Sequence, residues 1–377
     1  MKARTVLFAG GGTGGHLYPA LNIAAALREA RPELATVFVG ARRGVEARVL
    51  PEKGVPHRLL PLQPIHRDRV WRNWKLPLAL AGSVWGLASL TVRERPSLVV
   101  GTGGYASGPA CAWALLTGIP IALQEQNSYP GLTTRWLSRY ARQLHLGFPE
   151  ALEHLSPGRG TEVREHGNPI QRPEAGADRT DARSRFDLSP DATVVLVVGG
   201  SQGARAINES LIGALERVAS GEAQRPGSLE ILWATGPAHI DGIRERLVPL
   251  GVGDWVRAVG YLHDMPGALA STDLALSRAG AMGTAELLAW GIPAILVPLP
   301  TAAADHQRHN AEALEAFGAA VAIPESQLTP DRLWAELSSL AADGDRRAAM
   351  TARARERARP EAARRIAEDL LRLLEAA

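Results

Sequence analysis

Thr5-Val6-Leu7-Phe8-Ala9 runs straight into Gly10-Gly11-Gly12-Thr13-Gly14-Gly15, and a helical apolar pattern follows over residues 19–29. An apolar run of strand length, a glycine turn and an amphipathic helix make one unit of an open α/β fold. Pro19 is expected in the first turn of that helix, where a missing N–H costs nothing. The unit recurs in the second half. Thr193–Val198 is a run of β-branched residues and Leu, followed by Gly199-Gly200-Ser201-Gln202-Gly203-Ala204 and a helix to residue 219. Shorter apolar runs lie at residues 36–40, 58–62, 98–100 and 121–123, then at 230–233, 274–276 and 294–297. Strands this apolar have no wet face, and their alternation with helices predicts parallel sheets covered on both sides. The fold class is therefore α/β, with two Rossmann-like domains.

A chain of 377 residues suits two cores better than one. The texture turns to Pro, Gly and charge at Ser156-Pro157-Gly158-Arg159-Gly160 and Gly167-Asn168-Pro169, which marks a linker. The expected domains are residues 1–166 and 167–360. Ala/Arg/Leu-rich helices are expected at 346–359 and 361–377, broken by Pro360, with the last one returning to the first domain.

With 46% hydrophobic and 21% charged residues the chain is globular and not disordered. Cys111 stands alone, which excludes an intramolecular disulfide and fits a reducing compartment. Lys2 and Arg4 precede too short an apolar run for a secretory signal, so that run reads as a strand. The net charge of +3 hides an imbalance. Residues 1–150 hold 18 Lys/Arg against 8 Asp/Glu, and the remainder holds 24 against 31. A basic first half points to an anionic partner, whether lipid, phosphate or nucleic acid. No nucleic-acid recognition module accompanies it, so nucleic acid is not expected.

Gly10–Gly15 contains the G-x-G-x-x-G of dinucleotide sites, a weak signal alone. That fingerprint wants a carboxylate about twenty residues on, at the end of the second strand. The strand ends instead in Val39-Gly40-Ala41-Arg42-Arg43. Such arginines could meet a 2′-phosphate, so an NADP-dependent oxidoreductase stays open as an alternative. A third glycine turn, Gly101-Thr102-Gly103-Gly104-Tyr105-Ala106-Ser107-Gly108-Pro109, also follows a strand. Glycine turns at helix N-termini bring backbone N–H groups to a phosphate, so several of them favour phosphorylated ligands in both domains.

Gly11–His16, Gly103–Pro109 and Gly199–Ala204 together resemble the three glycine-rich loops of the MurG-type transferases. These are the undecaprenyldiphospho-muramoylpentapeptide β-N-acetylglucosaminyltransferases. Glu125-Gln126-Asn127, Gly167-Asn168-Pro169, Ala279-Gly280-Ala281 through Glu286, and Asp305-His306-Gln307 with Asn310-Ala311 match in family order, so the resemblance spans nearly the whole chain. It implies a GT-B fold, two Rossmann-like domains facing across a cleft. The first would bind a lipid-linked muramoyl-pentapeptide and the second UDP-N-acetylglucosamine, with inverting transfer and no cofactor or metal.

The resemblance also implies roles. Glu286 would accept the ribose hydroxyls, with Ala281, Met282, Gly283, Thr284 and Ala285 giving backbone contacts to the nucleotide. Leu262 would read the uracil edge beside Tyr261 and Met265. Ser201 would bind the diphosphate and Gln307 the sugar hydroxyls. Thr13, Gly14, Gly15 and Asn127 would face the sugar from the first domain, and Gly103, Gly104, Tyr105 and Ser107 would receive the acceptor diphosphate. His16 is the candidate general base, since an imidazole titrates near neutrality and can take the acceptor proton. The family commonly carries Arg where this chain has Gln171, and Arg172 follows it. Asp343-Gly344-Asp345 matches the metal-binding string of another transferase fold, but between helices it reads as a solvated turn.

Arg69, Trp71, Arg72, Trp74 and Lys75 interleave aromatic rings with cations ahead of an apolar stretch. Trp at headgroup level and cations on anionic lipid make an interfacial anchor, so a peripheral position on the cytoplasmic face of the cell membrane is expected. Residues 76–92 are barely long enough to span, contain Pro77, Gly82 and Gly86 and lie between expected strands, so no transmembrane helix is expected there. Another UDP-sugar transferase of the same fold, or a non-catalytic nucleotide-sugar binder, are the remaining alternatives.

Overall fold

The computed structural model describes residues 4–62, 76–173, 176 and 178–376. It divides into two compact units, residues 1–171 with 359–377, and residues 172–358.

The first unit opens with β1 Thr5–Ala9, α1 Gly14–Ala30, β2 Ala35–Ala41, α2 Glu46–Glu52, β3 His57–Leu60 and α3 Leu76–Glu94. It continues with β4 Pro96–Gly101, α4 Gly104–Leu116, β5 Ile121–Glu125, α5 Leu132–Leu137, β6 Gln143–Leu146 and β7 Glu162–Arg164. The seven strands form one parallel sheet in the order β3-β2-β1-β4-β5-β6-β7. Residues alternate across it as the pleat requires. Leu7 and Ala9 face a core built with Leu87, Leu90 and Cys111 of α3 and α4. Val6 and Phe8 face Leu17, Ile23 and Leu27 of α1, together with Ile366, Leu370 and Leu374 from the C-terminal end of the chain.

The second unit holds α6 Arg179–Arg185, β8 Thr193–Val198, α7 Arg205–Ala219, β9 Leu229–Ala234, α8 Ile240–Leu247, β10 Val256–Val259 and α9 Met265–Ser271. Then come β11 Leu274–Ser277, α10 Ala281–Trp290, β12 Ala294–Leu296, α11 His306–Ala316, β13 Ala320–Ala322, α12 Pro330–Ala342 and α13 Gly344–Arg357. Its six strands are also parallel, in the order β10-β9-β8-β11-β12-β13. The last helix, α14 Ala362–Ala376, belongs to the first unit and packs against α1.

Two sequence expectations need correction. Pro19 is inside α1, not in its first turn, because Gly14 and Gly15 already adopt helix. The ring withholds the N–H that the Gly15 carbonyl would accept, at a helix end where such partners are already scarce. The presumed linker holds β7 and α6 as regular structure.

Candidate functional site

In each sheet the order reverses beside the first strand, between β1 and β4 and between β8 and β11. Connections leave such a point in opposite directions and open a crevice at the carboxyl ends of the strands. All three glycine turns lie at these two points.

In the first unit, Thr13 and Gly103 occupy the N-cap positions of α1 and α4, and neither helix has a side-chain cap. First-turn N–H groups are thereby left for a ligand, and both dipoles favour an anion. The loops touch so closely that a Cβ on Gly104, at φ 75°, would collide with the Gly11 carbonyl oxygen. One amide is already taken. Gly12 N–H donates to the Glu46 carboxylate at 2.8 Å, and that fully buried carboxylate also accepts the Ala41 N–H at 2.7 Å. The Gly12 N–H is therefore not available to a ligand. Tyr105 lies over Gly12, and its hydroxyl is pushed above the usual phenol range by burial and then by the Glu46 charge.

His16 follows in the first turn of α1. Its Nδ1 lies 3.0 Å from Gln126 Oε1, and the Thr102 hydroxyl donates to its carbonyl at 2.7 Å. Glu125 stabilises the turn after β5 by accepting from Asn127 N–H at 3.1 Å, Asn127 Nδ2 at 3.3 Å and Gly131 N–H at 3.1 Å. Ser107 turns inward, with its hydroxyl 3.8 Å from Cys111 Sγ, so this loop presents backbone more than hydroxyl. Thr13, Gly14, Gly15, His16, Asn127, Gly103, Gly104 and Tyr105 thus all follow the carboxyl ends of β1, β4 and β5.

The second unit carries a cavity of about 590 Å³ at its own reversal point. Ser201, Leu262, Gly283, Glu286 and Gln307 line it, with Tyr261 and Met265. Ala281, Met282, Thr284 and Ala285 lie in the first turns of α10, whose second turn carries Glu286. Burial raises the Glu286 carboxyl to about 7. Gln307 Oε1 accepts the Leu299 N–H at 3.0 Å, and the turn ahead of α11 is held by left-handed Ala304 and Asp305. Two adjacent non-glycine residues in that region store strain, a common property of ligand clamps. The glycine turn before α7 packs so tightly that a Cβ on Gly203, at φ 77°, would collide with the Thr235 carbonyl.

Sequence reading missed Glu46, whose signal was a carboxylate five residues beyond the strand end where one was sought. It also missed Arg278 and Glu325, which line the cavity and pair with each other at 2.5 Å. Asp343 caps α13 by accepting the Arg346 N–H at 2.8 Å, as a solvated turn should. His145, His166 and Asp369 bring three potential ligand atoms within 4.8 Å of one another. The Asp369 carboxylate is already shared by His166 at 2.6 Å, Arg164 at 3.6 Å and Arg372, cationic company that disfavours a metal ion. Arg69, Trp71, Arg72, Trp74 and Lys75 lie outside the described residues. Gln171 and Arg172 fall on either side of the boundary between the two units.

Known proteins agree with this layout. Residues 6–146 match the glycosyltransferase family 28 N-terminal domain and residues 194–366 the family 28 C-terminal domain. A protein of Salinibacter ruber is 41% identical, over 99% of this chain and 97% of its own length. One of Moorella thermoacetica is 39% identical, over 98% and 99%. Both are named UDP-N-acetylglucosamine–N-acetylmuramyl-(pentapeptide) pyrophosphoryl-undecaprenol N-acetylglucosamine transferase. The crystal structure of Acinetobacter baumannii MurG superposes with a TM-score of 0.77 at 27% identity, covering 98% of this chain and 99% of that one. With its fold that of GT-B glycosyltransferases, the chain belongs to glycosyltransferase family 28, within the MurG family of N-acetylglucosamine transferases.

Proposed function

We propose that this chain moves N-acetylglucosamine from UDP-N-acetylglucosamine to the muramoyl C4 hydroxyl of undecaprenyl-diphospho-muramoylpentapeptide. Unit 2 takes the nucleotide sugar and unit 1 the lipid-linked acceptor. The observation that carries this reading is the second-unit cavity, which gathers a glycine turn, Leu262, Glu286 and Gln307 on one surface. Those groups suit a diphosphate, a base edge, a ribose diol and sugar hydroxyls in turn.

Inverting transfer is a single displacement. The acceptor oxygen attacks C1 of the sugar from the face opposite UDP, and its proton passes to His16. The bond from C1 to the diphosphate oxygen breaks, and UDP leaves with the electron pair. The N-terminus of α7, behind Ser201, faces the charge that develops on the diphosphate. The uncapped first turns of α1 and α4, with Gly103, Gly104 and Tyr105, receive the acceptor diphosphate. Thr13, Gly14, Gly15 and Asn127 face the transferred sugar.

The work is done at the cytoplasmic face of the cell membrane. Among the described residues no helix is long and apolar enough to cross a bilayer. Helix α3 nonetheless exposes Leu78, Trp85 and Val92, spaced by seven on one stripe, at 74%, 70% and 74%. Large apolar side chains left in water along one helix face suit the interface of a bilayer. Incubation with radiolabelled UDP-N-acetylglucosamine and a lipid-linked muramoyl-pentapeptide should yield labelled lipid-linked disaccharide. Transfer only to some other acceptor would assign the chain to a different reaction.

A further inference from the structure

Neither nitrogen of a neutral imidazole is a base by default, since one carries the proton and the other the lone pair. Which is which depends on the partner each nitrogen finds. His16 Nδ1 faces Gln126 Oε1 at 3.0 Å. An amide can be turned end for end, so the direction of this contact rests on what holds the other end of Gln126. Its Nε2 donates to the Thr102 carbonyl at 2.8 Å, to the Gln124 carbonyl at 3.1 Å and to Gln124 Oε1 at 2.5 Å. Backbone carbonyls only accept. Turning the amide over would set oxygen against two carbonyl oxygens in a site where Gln126 is 2% exposed and water cannot compensate.

The second layer removes the remaining freedom. Gln124 Nε2 donates to Asn168 Oδ1 at 3.2 Å, which leaves Gln124 Oε1 to accept from Gln126. Asn168 Nδ2 in turn donates to the Gln126 carbonyl at 2.9 Å. All three amides are buried. The ring itself is boxed in by the second glycine turn, where a Cβ on Gly103 would sit 2.8 Å from Nδ1 and one on Gly104 would sit 3.1 Å from Cδ2. Among the described residues Gln126 Oε1 is thus the hydrogen-bond partner of Nδ1, and the glycine turn crowds the ring on its Nδ1 and Cδ2 sides.

We infer that Gln126 is a positioning residue that holds His16 as the Nδ1–H tautomer, so that the Nε2 lone pair is the one presented to the acceptor hydroxyl. Gln124 and Asn168 lock Gln126 in the direction this requires. The arrangement does with a neutral amide what a carboxylate does behind the histidine of a hydrolase triad: it orients the ring without carrying charge. The inference deepens the reading of His16 as the base and rests on it for its catalytic consequence.

Two measurements test it separately from that reading. Long-range proton–nitrogen NMR on the full-length protein with ring-labelled histidine should place the proton of neutral His16 on Nδ1, the signal being assigned by its loss in His16→Ala. In Gln126→Leu the same signal should become a mixture of tautomers. A proton on Nε2 in the wild type overturns the inference, whatever the role of His16. The kinetic arm compares Gln126→Leu with Gln126→Glu. The Leu variant should lose about tenfold to a hundredfold in kcat with the KM for UDP-N-acetylglucosamine within about twofold. The Glu variant keeps an acceptor oxygen toward Nδ1 and should recover much of that loss, with the acidic limb of its pH profile moved upward because an adjacent negative charge favours imidazolium. Wild-type kcat and pH profile in Gln126→Leu overturn the inference. Full turnover in His16→Ala would instead remove the base from this position, leaving the NMR result to decide the tautomer.

Discussion

The Glu46 carboxylate bridges Gly12 and Ala41, accepting one backbone N–H with each oxygen at 2.8 and 2.7 Å. It ties the first glycine turn to the end of β2, and Cβ atoms on Gly11, Gly40 or Gly44 would all strike the Glu46 side chain. Both oxygens must accept, so Glu46→Gln sets an amide N–H₂ against one of the two backbone donors. That should destabilise the protein by about 1–3 kcal/mol, and Glu46→Ala by at least as much, because a buried unpaired N–H bears its full desolvation penalty. Urea denaturation of each variant measures this. Wild-type stability in Glu46→Gln would mean that one of the two bonds contributes nothing.

With Glu286 as the proposed acceptor of the ribose hydroxyls, donor binding should depend on pH. Burial raises its carboxyl to about 7, so the empty site holds a neutral acid below that pH and a carboxylate above it. Ribose hydroxyls donate best to the ionised form. Affinity for UDP-N-acetylglucosamine should therefore rise from pH 6 to pH 8, approaching tenfold, as the competent fraction grows from about a tenth to most of the population. The nucleotide sugar is the right probe because its diphosphate diester does not titrate in this range, whereas free UDP does. In Glu286→Gln the binding should be weaker and flat with pH. An equal slope in that variant, read by calorimetry, would assign the titration to another group.

The fold was legible because its strands announce themselves. Thr5–Ala9 and Thr193–Val198 are apolar after their leading Thr and are followed by glycine, and the structure places β1 and β8 on those residues. β6 was not legible. It reads Gln143-Leu144-His145-Leu146, with polar side chains at two positions that are as buried as their apolar neighbours. Alternating polarity of that kind suggests a wet face that this strand does not have. β10 and β13 are short and escaped for lack of a pattern. In the site, motif matching named residues that the structure places after the carboxyl ends of β1, β4 and β5 and along the second-unit cavity. It missed Glu46, and it quoted Gln126 and Asn168 without a role for either. Buried hydrogen-bond partners have no spacing to match, since they act on a loop or a ring contributed by a distant stretch of chain.

His145 supplies a stability prediction of definite sign. Its side chain is fully buried, neither ring nitrogen has a hydrogen-bond partner among the described residues, and its pKa is pushed down to about 3 by burial, then by His166 and Arg164. The unfolded chain binds a proton at this residue below about pH 6.5, while the folded chain does not until about pH 3. Stability is thus full above the unfolded pKa and falls as pH drops through that window, by at most about 1.4 kcal/mol per pH unit. His145→Gln cannot take up that proton. Its stability relative to wild type should improve by about 1–2 kcal/mol between pH 7 and pH 5.5. A constant difference between the two proteins across that range would mean that His145 takes up its proton in the fold as readily as in the unfolded chain.

The last prediction separates two components of membrane attachment. In the proposed attachment Arg69, Arg72 and Lys75 would supply charge, and the exposed α3 stripe of Leu78, Trp85 and Val92 would supply apolar area. Each cation is worth about 1 kcal/mol on anionic lipid, so the three together give about 3 kcal/mol, roughly a hundredfold in partitioning. This component is screened by salt, whereas burial of the stripe is not. On vesicles rich in phosphatidylglycerol, Arg69→Glu with Arg72→Glu and Lys75→Glu should abolish the part of binding that salt releases. Leu78→Ser with Trp85→Ser should weaken binding equally at low and high salt, because both side chains already lie in water and their loss leaves the core intact. Each variant should keep its turnover on a short-chain, water-soluble acceptor while losing it on acceptor embedded in vesicles. Loss of turnover on both acceptors would place these residues in the acceptor site. Unchanged sedimentation with vesicles in both variants would place the anchor on another face of the protein.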